Sequence, residues 1–176
     1  MFYGRGMIAL IYVDDVLLFD NEQDKIDEVI KETEDAGLSL IVEDDVYTLL
    51  GAEVKTDKQS CKVTLTQGGL TKKSPKTVGM LYSNKKITPE ATMPLGTDAD
   101  GTHFDEPWEY ASIVGMLMYL SRNSRPDIQF AEHQCSRLNH NPRRSHDEAV
   151  KRICLYLVGT QGQGLNFDLN SDMKLY

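Results

Sequence analysis

A chain of 176 residues is long enough to bury a sizeable core, as one domain or as two small ones. Its formal net charge of −8 argues against a generic nucleic-acid binder. Cys61, Cys135 and Cys154 are odd in number and form no Cys-x-x-Cys pair, which argues against a disulfide scaffold and for reduced thiols in an intracellular protein; no stretch reads as a signal peptide, and no apolar run is long enough to span a bilayer.

The charge is unevenly placed. Residues 1–60 hold 5 Lys/Arg against 15 Asp/Glu, whereas residues 107–160 hold 7 against 5. In chain order, Met1–Tyr3 reads as a strand end and Gly4-Arg5-Gly6 as a turn. Two short β-branched and aromatic runs follow, 7–13 and 16–19, and each reads as a strand. Asp14 and Asp15 then fall in the tight turn between them. Both runs are apolar on both faces, which places the hairpin in the middle of a sheet. Two carboxylates at the tip of a buried hairpin are costly unless they meet a cation, and hydrated magnesium is the usual one facing a phosphate substrate. The plainer reading is that Asp is simply common in turns.

Asp20-Asn21 cap a predicted helix over 22–36, with Ile26, Val29, Ile30 and Thr33 as its buried stripe and Gly37 as its stop. Strands follow at 38–42, 46–54 and 61–66, the last two paired across Thr56-Asp57-Lys58. Gly51 reads as a bulge or a close backbone approach. Gly68, Gly69 and Pro75 predict a weak or broken helix over 67–80, with Lys72, Lys73 and Lys76 on a solvated face. Residues 81–106 read as a polar linker. Asp98-Ala99-Asp100-Gly101 fails as a calcium loop, because the positions for the first and twelfth ligands are Gly96 and Pro107.

Three helices follow. Tyr110, Ile113, Val114, Leu117 and Leu120 form the core stripe of the first, over 107–122. Ser124-Arg125-Pro126-Asp127 opens the second, which runs to about Leu138. Ser145-His146-Asp147-Glu148 reads as the capping box of the third, whose stripe is Ala149, Val150, Ile153, Cys154 and Leu157. His133, Cys135, His140 and His146 lack zinc-site spacing.

Tyr12-Val13-Asp14-Asp15 between apolar strands resembles the signature of reverse transcriptases. An ordered set of further stretches narrows this: Leu50-Gly51-Ala52-Glu53-Val54, Leu65-Thr66-Gln67, Met93-Pro94-Leu95, Tyr110-Ala111-Ser112-Ile113-Val114-Gly115, Ser124-Arg125-Pro126-Asp127-Ile128 and Tyr156-Leu157-Val158-Gly159-Thr160. Together they resemble the Pol polyprotein of copia-type long-terminal-repeat retrotransposons, over nearly the whole chain.

The resemblance implies an α+β fold. Residues 1–66 would be a partial polymerase palm, an antiparallel sheet with one packed helix; 67–106 a weak helix and linker; 107–160 a three-helix thumb or connection region; and 161–176 the start of a ribonuclease H domain. It implies RNA-directed DNA polymerase chemistry at a two-magnesium site, with Asp14 and Asp15 as metal ligands and catalytic residues. Tyr12, Val13, Leu50 and Gly51 would stand near the primer and nucleotide, the last two as a primer grip. Arg122, Arg125, Lys151 and Arg152 would contact backbone phosphates or be merely solvated. The implied partners are an RNA or DNA template–primer, deoxynucleoside triphosphates, the fingers and the remaining palm strand with its third carboxylate, and a ribonuclease H segment; no membrane is implied. The implied location is the cytoplasm or virus-like particles. With its fingers and third carboxylate missing, the chain is expected to be inactive alone and to bind a primer–template weakly, with strong salt dependence. The other reading is a non-catalytic remnant, or a module that binds nucleic acid or protein without chemistry.

Overall fold

The apolar runs that flank the Asp pair pair with each other. In the computed structural model, β1 (Phe2–Gly4), β2 (Met7–Tyr12) and β3 (Asp15–Phe19) form an antiparallel sheet in that order. The structure describes every residue except 1, 5–6, 13–14, 21, 44–47, 50, 58, 61, 91–94 and 169–176. Ile8 lies opposite Phe19, Leu10 opposite Leu17, and Tyr12 opposite Asp15. Asp15 is therefore the first residue of β3 rather than a turn residue, because pairing extends further toward the tip than the apolar pattern does. Among the described strands β2 is central and β3 lies at an edge, so only half of the expected central hairpin is central.

The helix α1 (Gln23–Asp35) follows, and its N-terminal flank is tied by Asp20 Oδ1, which accepts the Glu22 N–H at 2.9 Å. Its stop is as expected. Gly37 has φ +92°, its N–H donates to Glu34 O, and the Leu38 N–H donates to Thr33 O, the paired bonds of a left-handed C-terminal cap. Ile26, Val29, Ile30 and Thr33 are half-buried. The strand expected at 38–42 does not form. Its apolar side chains are exposed, Ile41 by 94 %. A strand needs a neighbour to pair with, and no described strand lies beside this one.

The chain divides into two compact units, Met1–Asp45 and Val46–Tyr176. The boundary thus precedes the strands at 48–66, which belong with the helices. In the second unit β4 (Thr48–Leu49), β5 (Ala52–Asp57), β6 (Lys62–Thr66) and β7 (Leu165–Asp168) form one antiparallel sheet in that order. The single strand expected over 46–54 is a hairpin. Leu49 pairs with Ala52, and Gly51 takes φ +72°, a turn conformation that a branched residue would resist. The segment 165–168, expected to begin another domain, pairs residue for residue with β6, from Leu65↔Leu165 to Lys62↔Asp168.

The helix α2 (Gly68–Thr77) is unbroken despite Pro75. The proline sits in its last turn, where it removes one hydrogen bond rather than splitting the helix, and Thr71, Ser74, Pro75 and Val78 are buried. Gly79, at φ +72°, ends the helix with the Met80 N–H on Pro75 O at 2.8 Å.

The core lies among α3 (Tyr110–Asn123), α4 (Gln129–Ser136) and α5 (Arg144–Gly159). The whole stripe expected on α3 is buried, and Val114, Leu117 and Leu120 are fully so. On α5 Val150, Ile153, Cys154 and Leu157 are buried and Ala149 is half-buried. Burial of each large side chain contributes roughly 1.5–3 kcal/mol. The buried thiols of Cys135 and Cys154 are free, and burial pushes each up to about 12.

Two capping expectations fail. A 3-10 turn (Pro126–Ile128) precedes α4, and the Ser124 hydroxyl turns inward to donate to Gln67 Oε1 at 2.8 Å. On α5 the N-cap is Arg143, whose N–H donates to His146 Nδ1 at 3.0 Å, while the Ser145 hydroxyl donates to Asp98 Oδ2 at 2.6 Å. Both serines are drawn away by partners distant in sequence. The supposed linker is docked on α5. Lys86 N–H donates to Leu155 O, Arg152 Nε to Glu90 O, His146 Nε2 to Gly96 O, and the Arg143 guanidinium to the carbonyls of Ala99 and Gly101.

Candidate metal and nucleic-acid contact residues

Strand alternation and register put Asp15, Leu17 and Phe19 on one face of the first unit's sheet, with Ile8 and Leu10. Asp15 is exposed. Tyr12 is its cross-strand partner, while Val13 and Asp14 lie outside the described residues. Among the described residues no group of three His, Cys, Asp or Glu stands close enough to hold a metal ion. Asp15 offers an accessible carboxylate at the start of β3.

In the second unit the β4–β5 turn lies beside α3. A Cβ added to Gly51 would stand 3.9 Å from the Tyr119 hydroxyl, and Leu50 lies outside the described residues. Tyr119 is one of a run of exposed α3 residues, Ala111, Gly115, Tyr119 and Arg122, and beside Gly115 an added Cβ would meet nothing within 4 Å.

The four basic residues singled out from the sequence have different surroundings. Arg122 is exposed at the end of α3. Arg125 is neither on the surface nor solvated. Its side chain is 1 % exposed, its Nε and Nη2 hold the two Asp127 oxygens at 2.9 and 2.7 Å, and Nη1 and Nη2 hold the backbone and hydroxyl oxygens of Thr160 at 3.0 and 2.7 Å. The guanidinium also lies 5.6 Å from the Tyr156 ring centroid, and the Tyr156 hydroxyl donates to Asp127 Oδ2. Burial pushes the Asp127 carboxyl up, but the bonds from Arg125 and Tyr156 outweigh it and hold it below the usual range. This is an internal clamp between the ends of α3 and α5.

Lys151 Nζ lies 2.7 Å from Glu106 and 2.9 Å from Asp147. Its burial would lower its proton affinity, but the two carboxylates raise it above the ordinary value. Arg152 spends Nε on Glu90 O and Nη2 on the Thr88 hydroxyl. Asp127 and Asp147 are near in sequence, but Thr160, Glu106, Glu90 and Thr88 lie between 35 and 64 residues from the cations they hold, and no local signal gave those contacts.

Glu132 falls at helical spacing with Ile128 and Cys135, a face where the sequence predicts a desolvated carboxylate, and it is 4 % exposed on α4. Among the described residues its Oε1 has no hydrogen-bond partner, and Oε2 receives a long 3.4 Å contact from the Ser121 hydroxyl. Burial raises its proton affinity despite that contact.

A mixed α+β architecture with an acidic hairpin unit and a helical unit is the setting in which sequence relatives take on meaning. The chain is 34 % identical to the Retrovirus-related Pol polyprotein from transposon RE2 of Arabidopsis thaliana, covering 98 % of the chain and 12 % of that protein. It is 32 % identical to the Retrovirus-related Pol polyprotein from transposon TNT 1-94 of Nicotiana tabacum, covering 92 % of the chain and 12 % of the polyprotein. It is also 28 % identical to the uncharacterized mitochondrial protein AtMg00810 of Arabidopsis thaliana, over 96 % of the chain and 68 % of that protein. No family model and no solved structure matches. The chain is a relative of copia-type retrotransposon Pol polyproteins along nearly its whole length. It spans about 12 % of the length of the two Pol polyproteins named here.

Proposed function

We propose that this chain is a retroelement-derived piece of a reverse transcriptase, carrying the metal-binding hairpin of the palm and the helical region after it. One observation carries the reading: Tyr12 and Asp15 pair directly across two apolar antiparallel strands, so that Val13 and Asp14 alone connect them. Asp14 and Asp15 would hold magnesium together with a carboxylate that the described residues do not supply. The ions, when bound, supply positive charge for phosphoryl transfer from a deoxynucleoside triphosphate to a primer hydroxyl. Leu50, Gly51 and the exposed α3 residues beside them would face the primer–template. The small side chains at Ala111 and Gly115 leave room for a nucleic-acid backbone to approach, and Arg122 offers a charge for it.

The test is primer extension. Residues 1–176 alone are expected to give none at any practical magnesium concentration, because magnesium binds weakly with few protein ligands. A version restored with the upstream Pol segment of a relative is expected to extend a primer, and Asp14→Asn in that version to abolish extension. Extension by 1–176 alone, or full activity of the restored Asp14→Asn enzyme, would sink the reading.

A second reading, a non-catalytic remnant, draws on a different observation. Met7 is the only buried hydrophobic residue among those described in the first unit, while Ile8, Leu10, Ile11, Val16 and Phe19 are all exposed. A restored version that folds but extends nothing would favour it.

A further inference from the structure

We infer that the phosphate-contacting surface of this chain is the outer face of α2, carrying Lys72, Lys73 and Lys76, and not the face of α5 carrying Lys151 and Arg152. The inference rests on the proposal that the chain binds a primer–template, and it adds to Arg122 on α3 a cluster of cations that do so.

The argument is one of commitment. A cation contributes to nucleic-acid binding by releasing counterions from phosphates, and it does so in full only if it is not already neutralised in place. Lys151 is held between Glu106 and Asp147, and Arg152 and Arg143 are spent on the segment docked along α5. Arg125 is buried in its own clamp. Moving any of these to a phosphate would break two or more hydrogen bonds. The α2 lysines are in the opposite condition. All three are exposed and make no ion pair among the described residues.

Their arrangement suits a polyanion. Thr71, Ser74, Pro75 and Val78 bury one side of α2. Helical spacing then sends positions 72, 73 and 76 out on the other, at separations of three and four residues, so the ammonium groups are neighbours. The helix contains no acidic residue to offset them. At the start of the helix, a full turn before Lys72, the Glu53 Oε1 would lie 3.0 Å from a Cβ at Gly68. In a chain of net charge −8, three adjacent unpaired cations form a local site of attraction for a phosphate backbone within a generally repulsive field.

The experiment measures binding of the full chain to a labelled primer–template duplex by fluorescence anisotropy over a series of salt concentrations. Each phosphate contact contributes about 0.7–0.9 to the slope of log affinity against log salt. Lys72→Gln, Lys73→Gln and Lys76→Gln together are expected to reduce the slope by about 2 to 3 and to weaken binding at least about tenfold at low salt. The three changes to Arg instead are expected to keep the slope. Lys151→Gln with Arg152→Gln, and an equal-charge control of Lys31→Gln, Lys85→Gln and Lys86→Gln, are expected to leave it unchanged. Circular dichroism checks that each variant is folded. A slope unaffected by the α2 changes, or reduced as much by the control, overturns the inference. So does a wild-type chain that does not bind the duplex. If the restored enzyme extends a primer but its duplex affinity ignores the α2 lysines, the inference falls while the proposed function stands.

Discussion

Glu132 shows how much one side chain can be at odds with its surroundings. Its carboxylate is buried on α4 with one oxygen unpartnered. An ionised group in that position carries a desolvation cost of the order of 1–3 kcal/mol beyond what its weak contacts return. Glu132→Val should therefore stabilise the helical unit by about 1 kcal/mol or more at neutral pH. The pH dependence gives a second check. Burial raises the folded-state proton affinity of Glu132 above that of the unfolded chain, so the folded state binds its proton more tightly. The stability this gives is present below the unfolded value and is lost as pH rises through the folded one. The advantage of Glu132→Val should thus be largest at pH 7 and shrink as pH falls toward the ordinary carboxylate range. Urea denaturation of both proteins at several pH values measures it. A midpoint unchanged or lowered at pH 7, or a gap that widens on acidification, would contradict the account.

At the scale of the element, α2 holds together against its own composition. Two glycines at its start and a proline near its end argue for a break, yet the helix is continuous. Tertiary burial of Thr71, Ser74, Pro75 and Val78 overrides a weak local propensity, which is a frequent outcome for short helices. The position of the proline matters too. In the last turn it leaves only the Thr71 carbonyl without its helical donor, and the cap at Gly79 secures the carbonyl of Pro75 itself. Pro75→Ala restores that donor, worth about 1 kcal/mol, while losing about two buried methylenes at about 0.8 kcal/mol each. The expected result is a change in stability of less than about 1 kcal/mol, read as a nearly unchanged denaturant midpoint. A large destabilisation would show that the proline ring is a packing element first.

At the scale of the whole molecule, the two units differ in how completely they are cored. The second gathers fourteen buried residues into one hydrophobic cluster, whereas the first has Met7 alone among its described hydrophobic residues. Leu38, Leu40, Ile41 and Val42 add to its exposed apolar surface. With so little burial to oppose chain entropy, the first unit should open locally far more often than the second. Hydrogen exchange read by mass spectrometry on the isolated chain should show β2, β3 and α1 exchanging much faster than α3 and α5. In a version restored with the upstream Pol segment, protection of β2 and β3 should rise. Equal protection of the two units in the isolated chain would refute this.

What the sequence determined by itself is what depends on neighbours close along the chain. The two apolar strands around the Asp pair, the helical stripe Tyr110–Leu120, the αL stop at Gly37 and the ordered likeness to copia-type Pol all follow from local spacing. What only the tertiary structure decided is where each polar group found its partner. Ser124 looked like a helix cap and bonds Gln67 instead; Ser145 looked like one and bonds Asp98; Arg125 looked like a surface cation and closes a buried clamp on Asp127 and Thr160. Ser124 and Arg125 are buried, and a buried polar group must be satisfied by whatever the fold brings within about 3 Å; the chain distance to Gln67, Asp98 and Thr160, up to 57 residues, leaves no trace in local pattern. The strand at 38–42 failed for the complementary reason. Its residues have the pattern of a strand, but pairing is a property of two segments, and no described strand comes to lie beside it.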